Sequence, residues 1–257
     1  MKTWWDVAVS WVLAGDLMRT FVINLEKNPD RLERIDAQLR ACGVPYERRV
    51  AVYGKNVPEA ERKKVSNRFA WKCICGIPMR DGELGCALSH LGVYQKMVRE
   101  GIGVACILED DANPNAHLAE HLRRIEESVD CSKPKAWLLS ASNAGGRTDW
   151  AEWEIRTGLY TEGYVITLSA ARAILEDNLP IKVPADAWGR WVKKGLLKLY
   201  QVSPAACDQA WQRAGYSSDV TPDNAALINV KTMSAFNKCV WNVRRAIGLT
   251  IAHLFYF

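Results

Sequence analysis

Val104-Ala105-Cys106-Ile107-Leu108 runs straight into Glu109-Asp110-Asp111. A short apolar run between Gly103 and a cluster of acids has the pattern of a buried strand that ends abruptly. In open α/β sheets ligands bind outside the carboxyl ends of the strands, so this order puts three carboxylates where a ligand would lie. Extended backbone sends Glu109 and Asp111 to one side and Asp110 to the other. Neighbouring carboxylates raise one another's pKa, and a divalent cation relieves that repulsion. A hard cation such as Mn²⁺ or Mg²⁺ takes one or two carboxylates and completes its shell with waters and phosphate oxygens. The competing reading is that Asp111 or Asn113 caps a helix starting near Pro114.

Upstream, Phe21-Val22-Ile23-Asn24-Leu25 reads as a second buried strand. Asn28-Pro29-Asp30 then opens a helix with Leu32, Ile35, Leu39 and Cys42 on one face, ended by Gly43 and Pro45. A polar, basic stretch covers Lys55 to Arg68. Asp81-Gly82-Glu83 opens another helix, striped by Leu84, Leu88, Leu91, Tyr94 and Val98 and closed by Gly101. Downstream, Trp137–Ser140 and Gly163–Leu168 read as strands, the latter running into a helix capped by Ser169 and lasting to about Asn178. Strand and helix alternate through the first 180 residues, which predicts an α/β fold with a mainly parallel central sheet. Beyond Pro184 the pattern weakens. The division expected is an extension over 1–19, a main domain over 20–200 and a less regular C-terminal segment over 201–257.

The 257 residues are 49% apolar and 25% charged, which excludes disorder and coiled coil. No apolar run reaches the roughly 18–20 residues of a spanning helix. Of the net charge of +5, much is local. No acid follows Asp223, whereas Lys231, Lys238, Arg244 and Arg245 do, and Arg190, Lys193, Lys194 and Lys198 lie in a second acid-free stretch. Such clusters suit phosphate, anionic lipid or nucleic acid, although most charge runs are solvated faces. The final run Ala246–Phe257 has the make-up of a helix lying in a lipid headgroup layer, or else of a C-terminal core helix. Eight cysteines lack zinc-knuckle spacing, and the N-terminus lacks a clear secretion signal, which points to a reducing cytoplasm. Neither GxGxxG nor GxxxxGK[ST] occurs.

Gly82 to His90 reads GELGCALSH on the expected second helix. Glu83 and His90, seven apart, share a face. Small residues between them let a ligand or a neighbouring backbone approach, and Ser89 and His90 can donate hydrogen bonds to a phosphate or a sugar hydroxyl. A lone helical histidine is by itself more often a satisfied core side chain.

The three segments FVINLEKNPDRLERI (21–35), GELGCALSH (82–90) and CILEDDA (106–112), in that order, resemble glycosyltransferase family 25, the lipopolysaccharide and lipooligosaccharide glycosyltransferases, many of them β-1,4-galactosyltransferases. The resemblance extends over about residues 20–190 and includes Thr161–Thr167 with Ala170-Ala171, and Pro184-Ala185-Asp186. It implies a GT-A-like fold, a UDP-hexose donor, galactose above others, and inverting transfer to a lipid-linked saccharide. It places Asn24 and Arg31 beside the uridine diphosphate, with Ser89 and His90 in the same donor site, and Glu109 and Asp111 on Mn²⁺ or Mg²⁺. An inverting transfer needs a carboxylate base, for which Asp186 stands first, with Glu83 and Asp110 behind it. For Arg31 a surface ion pair, and for Asp186 a helix cap, are the structural alternatives. The segment Phe236–Phe257, which interleaves Lys238, Arg244 and Arg245 with Trp241 and the final apolar run, suits an anionic membrane surface as partner. With a lipid-linked acceptor this gives the expectation of a peripheral position at the inner face of the cytoplasmic membrane, and no nucleic acid partner is expected. A reading from another class is a non-catalytic, membrane-associated module of the same fold that binds nucleotide-sugar or glycan.

Overall fold

In the computed structural model, which describes residues 18–140 and 148–209, strands and helices alternate from the first element. Strand β1 (Thr20–Asn24) leads to helix α1 (Pro29–Ala41), strand β2 (Glu47–Val50), a 3-10 turn at Gly54–Asn56, and helices α2 (Glu59–Val65), α3 (Arg68–Cys75) and α4 (Asp81–Glu100). Then follow β3 (Val104–Glu109), β4 (Ala112–Pro114), α5 (Leu118–Ser128), β5 (Lys135–Leu138), β6 (Ala151–Ile155) and β7 (Gly163–Thr167). Helices α6 (Leu168–Asn178) and α7 (Trp188–Lys193) and strands β8 (Lys198–Ser203) and β9 (Cys207–Gln209) complete the order.

Seven strands form one sheet in the order β2-β1-β3-β7-β5-β8-β6. Strand β1 is parallel to β2 and β3, and β5 to β8. Strand β7 is antiparallel to β3 and β5, and β6 to β8. Five of the seven strands therefore point one way, so the sheet is mostly parallel. A separate antiparallel ribbon joins β4 to β9.

Every residue of β1 and β7 is buried, because helices cover both faces of the sheet. Alternation sorts the side chains. Phe21, Ile23, Ile107, Tyr164 and Ile166 pack with Leu91, Met97, Ile174 and Trp188 on the face of α4, α6 and α7. Val22, Cys106, Leu108 and Val165 pack with Ile35, Leu39, Leu122 and Ile125 on the face of α1 and α5. Each such side chain contributes roughly 1.5–3 kcal/mol by leaving water. The result is a three-layer α/β/α fold consistent with a GT-A-like arrangement.

Several local expectations shift. Helix α4 opens at Asp81 and closes at Gly101, whose φ of 67° is the left-handed cap glycine tolerates. Its buried face is broader than the expected stripe: Ala87, Val93 and Met97 are buried, Leu88 only partly, and Val98 is exposed. The cause is that α4 packs on the sheet and on α6 at once. Helix α6 is capped by Thr167, whose Oγ1 accepts from the Ala170 N–H, and not by Ser169, which lies inside the first turn. Neither Asp111 nor Asn113 caps a helix. Residues 112–114 form β4, and α5 begins only at Leu118 after His117. The polar stretch from Lys55 contains α2, which buries none of its residues and so shows no apolar period. Beyond Pro184 lie α7 and β8; β8 runs through position 200 between β5 and β6, so the sheet continues past that point. No described helix is long and apolar enough to cross a membrane. The segment Ala246–Phe257, the basic stretch after Asp223 and residues 1–17 lie outside the described residues.

Candidate active site

The parallel strands β1, β2 and β3 end at one edge, and there the chain opens a cleft. Leu25 follows β1, Ala51 to Lys55 follow β2, Glu109 to Asp111 end β3, and Arg31 reaches in from α1. The opposite wall is α4, through Gly82, Cys86, Ser89 and His90.

Glycine makes this wall possible. A Cβ on Gly85 would stand 2.5 Å from the Val52 carbonyl oxygen and 2.8 Å from the Gly54 nitrogen, both backbone. Ser89 then ties loop and helix together. Its Oγ accepts from the Val52 N–H at 2.8 Å and donates to the Gly85 carbonyl at 2.7 Å. The Ser89 hydroxyl proton is thus committed within the chain, and the side chain shapes the wall of the donor site expected around it. Gly85→Ala is expected to cost about 1–3 kcal/mol through overpacking against rigid backbone. Urea unfolding measures it, and an unchanged midpoint would mean that the loop has room to retreat.

Asp110, in the turn that follows β3, organises the β1–α1 side, whereas Glu109 faces α4. Its carboxylate accepts from Asn24 Nδ2 at 2.8 Å and from Arg31 at 3.3 Å, while its carbonyl accepts from Arg34 at 2.8 Å. Asn24 also donates to the Asn28 carbonyl at 3.0 Å, fixing the turn into α1. Asn24, Arg31 and Asp110 therefore form one bonded unit. Burial pushes the Asp110 carboxyl above its usual range, against the pull of Asn24 and Arg31.

Glu109 faces α4. The Thr161 hydroxyl donates to its Oε1, and His90 Nε2 lies 3.4 Å from the same oxygen. Burial raises the Glu109 carboxyl, but the His90 contact, Thr161 and Arg31 outweigh it and hold it below the ordinary value. His90 is itself buried, with Nδ1 2.7 Å from the Tyr164 hydroxyl, which lies 2.8 Å from that of Tyr94. Asp111 has the opposite balance. Burial first, then the charges of Glu109 and Asp110, push its carboxyl up to about 8. Its Oδ1 is buried with no hydrogen-bond partner among the described residues.

Asp186 is not among the residues lining the cleft, yet it is electrostatically joined to it. Burial raises its carboxyl, the Tyr160 N–H and His90 pull it down, and Glu109 pushes it up. The structure does not bring Glu83 to this group. Glu83 is the third residue of α4 and caps it, accepting from the Arg80 backbone N–H at 2.8 Å and the Arg80 guanidinium at 2.9 Å.

Sequence reasoning missed Glu162, which burial and the charges of Glu109 and Asp186 push up to about 7. Because β7 runs antiparallel to β3, the residue before Gly163 lands beside Glu109, whose N–H donates to the Glu162 carbonyl at 3.0 Å. Glu162 stands next to the Gly163-Tyr164 strand start; only the antiparallel pairing would have signalled its role. Glu109, Asp110, Asp111, Glu162 and Asp186 are thus near enough to shift one another's proton affinity. An all-oxygen set with an orphaned buried oxygen and raised proton affinity fits a hard divalent cation on Glu109 and Asp111.

Residues 18–152 match the family described as glycosyltransferase family 25 (LPS biosynthesis protein). The chain is 31% identical over 246 residues to a "Glycosyltransferase 25 family member" of Drosophila melanogaster, covering 84% of this chain and 39% of the relative. It is 25% identical over 179 residues to "Procollagen galactosyltransferase 1-A" of Xenopus laevis, covering 65% and 29% respectively. A "Probable inactive glycosyltransferase 25 family member 3" of Bos taurus matches at 24% over 181 residues, 65% of this chain and 30% of that protein. The chain therefore spans between about three and four tenths of the length of these relatives.

Proposed function

Because the chain belongs to glycosyltransferase family 25, we propose that it transfers a hexose from a UDP-sugar to a saccharide hydroxyl with inversion at the anomeric carbon. Galactose is the sugar favoured, since relatives carry the name procollagen galactosyltransferase. A lipid-linked bacterial surface saccharide is the acceptor favoured, in keeping with the family's description as an LPS biosynthesis protein. The basic, acid-free sequence beyond Asp223 suits docking at an anionic membrane surface from the cytoplasmic side.

In this reading Arg31 offers its planar fork of donors to the diphosphate, held in place by Asp110 and Asn24. Glu109 and Asp111 hold Mn²⁺ or Mg²⁺, which when bound neutralises the charge of the departing diphosphate. Thr161 and His90 keep Glu109 ionised for that purpose. Asp186 accepts the proton of the acceptor hydroxyl as its oxygen attacks the anomeric carbon. The bond from that carbon to the diphosphate oxygen breaks, and UDP leaves. Asp186 is preferred over Asp110 and Glu83, whose carboxylates are each paired with a guanidinium, whereas that of Asp186 accepts from backbone N–H. The observation that carries the reading is Asp111, a half-buried residue whose buried Oδ1 has no hydrogen-bond partner among the described residues, in a cleft that Glu109 also lines at the strand ends.

The test is a panel of UDP-sugars with Mn²⁺, scored for protection against unfolding and for slow hydrolysis. UDP-galactose should protect most and be hydrolysed only with the cation present. Protection without hydrolysis would favour the non-catalytic binding module, a state to which the name of the Bos taurus relative points for that protein. No protection by any UDP-sugar would overturn the proposal.

A further inference from the structure

Cys86 takes no part in the transfer described above, yet it lies within the same cleft wall. Cys86 and His90 stand four apart on α4 and so project from one face. Glu109, from the end of β3, meets them there. A sulfur, an imidazole nitrogen and a carboxylate oxygen from these three residues all lie within 4.8 Å of one another. That donor set differs in kind from the all-oxygen pair Glu109 and Asp111. Thiolate and imidazole select borderline and soft cations, Zn²⁺ foremost, and three protein ligands leave a fourth tetrahedral position open.

The surroundings of His90 match those of a metal ligand. Its Nδ1 pairs with the Tyr164 hydroxyl at 2.7 Å, and that hydroxyl is fixed in turn by Tyr94 at 2.8 Å. Nε2 faces Glu109, 3.4 Å away, and donates to it in the metal-free chain; a shift of the proton to Nδ1, where the phenol oxygen accepts it, frees the Nε2 lone pair for a cation. Ligating histidines are oriented in this way, by a hydrogen bond at the other ring nitrogen. The Tyr164 ring is held by edge contact with Trp188 at 5.0 Å, so the imidazole has a rigid backing.

We infer that Cys86, His90 and Glu109 form a binding site for a thiophilic divalent cation such as Zn²⁺, which shares Glu109 with the hard-cation pair, so that the two ions exclude each other. On coordination the Cys86 thiol releases its proton to solvent, and no electron is transferred. The mutual exclusion rests on the hard-cation assignment of the proposed function; the thiolate site does not.

Co²⁺ is the probe, since a thiolate ligand to cobalt gives a charge-transfer band in the near ultraviolet that oxygen and nitrogen ligands do not. One equivalent should produce the band in the wild-type chain, and Zn²⁺ should bleach it stoichiometrically. Cys86→Ser should remove the band while keeping the wild-type thermal transition, whereas Cys73→Ser and Cys75→Ser should retain it. His90→Gln should weaken Zn²⁺ binding by at least about 100-fold. Asp111→Asn should keep the cobalt band and lose the effect of Mn²⁺, which separates failure of this site from failure of the hard-cation assignment. X-ray absorption of the zinc-loaded wild-type chain gives a readout that needs no variant: one sulfur at about 2.3 Å is expected. A band that survives Cys86→Ser, or a zinc shell without sulfur, overturns the inference.

Discussion

Asp111→Asn is expected to lower transfer by roughly 10³-fold or more and to abolish stabilisation by Mn²⁺, with the fold intact. The size follows from removing one of two carboxylates that hold the cation on the leaving diphosphate, an effect worth several kcal/mol in the transition state. The fold should survive because Asp111 lies past the end of β3 and accepts no hydrogen bond at its buried Oδ1. A pH dependence accompanies the substitution. The Asp111 carboxyl is pushed up to about 8 by burial and by Glu109 and Asp110, so the folded chain keeps a proton that the unfolded chain has released. The contribution of Asp111 to cation-free stability is therefore full below the ordinary carboxylate range and is lost as pH rises toward about 8. The Asn variant lacks that slope. A cation takes the proton's place, so stabilisation of the wild type by Mn²⁺ should grow over the same window. Melting temperatures at about pH 5 and about pH 8, with and without Mn²⁺, decide the matter. An Asn variant still stabilised by Mn²⁺ would remove Asp111 from the cation site.

Asp186→Asn should lower kcat by about 10²–10⁴ while leaving the KM for UDP-sugar and the Mn²⁺ effect unchanged. Burial and the neighbouring Glu109 charge raise the Asp186 carboxyl, which brings its proton affinity closer to that useful for a base at neutral pH. The Tyr160 N–H, presented by a residue at a φ of 65°, donates to the carboxylate and opposes part of that rise. Asn retains the size of the side chain and the acceptor for that N–H, but takes no proton. Loss of UDP affinity in place of kcat would reassign Asp186 to the donor site and leave the base to another carboxylate.

The two strands that bracket the site were legible because both are buried on both faces, so their apolar runs are nearly unbroken. Helix α2 was not legible, since all its residues are at least partly exposed and it carries no apolar period. Strand β6 hides for a related reason: it is an edge strand of alternating half-buried and exposed residues at the far end of the sheet. Ser169 has the composition of a cap for α6 because serine is a good capping residue. Thr167, two positions earlier, wins because it sits in extended backbone at the end of β7.

From the order of residues alone came the carboxylates at a strand end and the small-residue helix wall with His90 on it. These follow from local periodicity, which acts over a few residues and needs no partner. The tertiary structure alone decided what each of these groups touches. Asp110 proves to be the brace of Asn24 and Arg31 because β1 lies beside β3. Glu162 enters the site because β7 runs back along β3, and Glu83 leaves it because its carboxylate closes its own helix end. The meeting of Cys86 and His90 with Glu109 depends on α4 packing against the end of β3. Contacts of this kind join residues far apart in the chain, and a pattern of period two or three and a half carries no record of them.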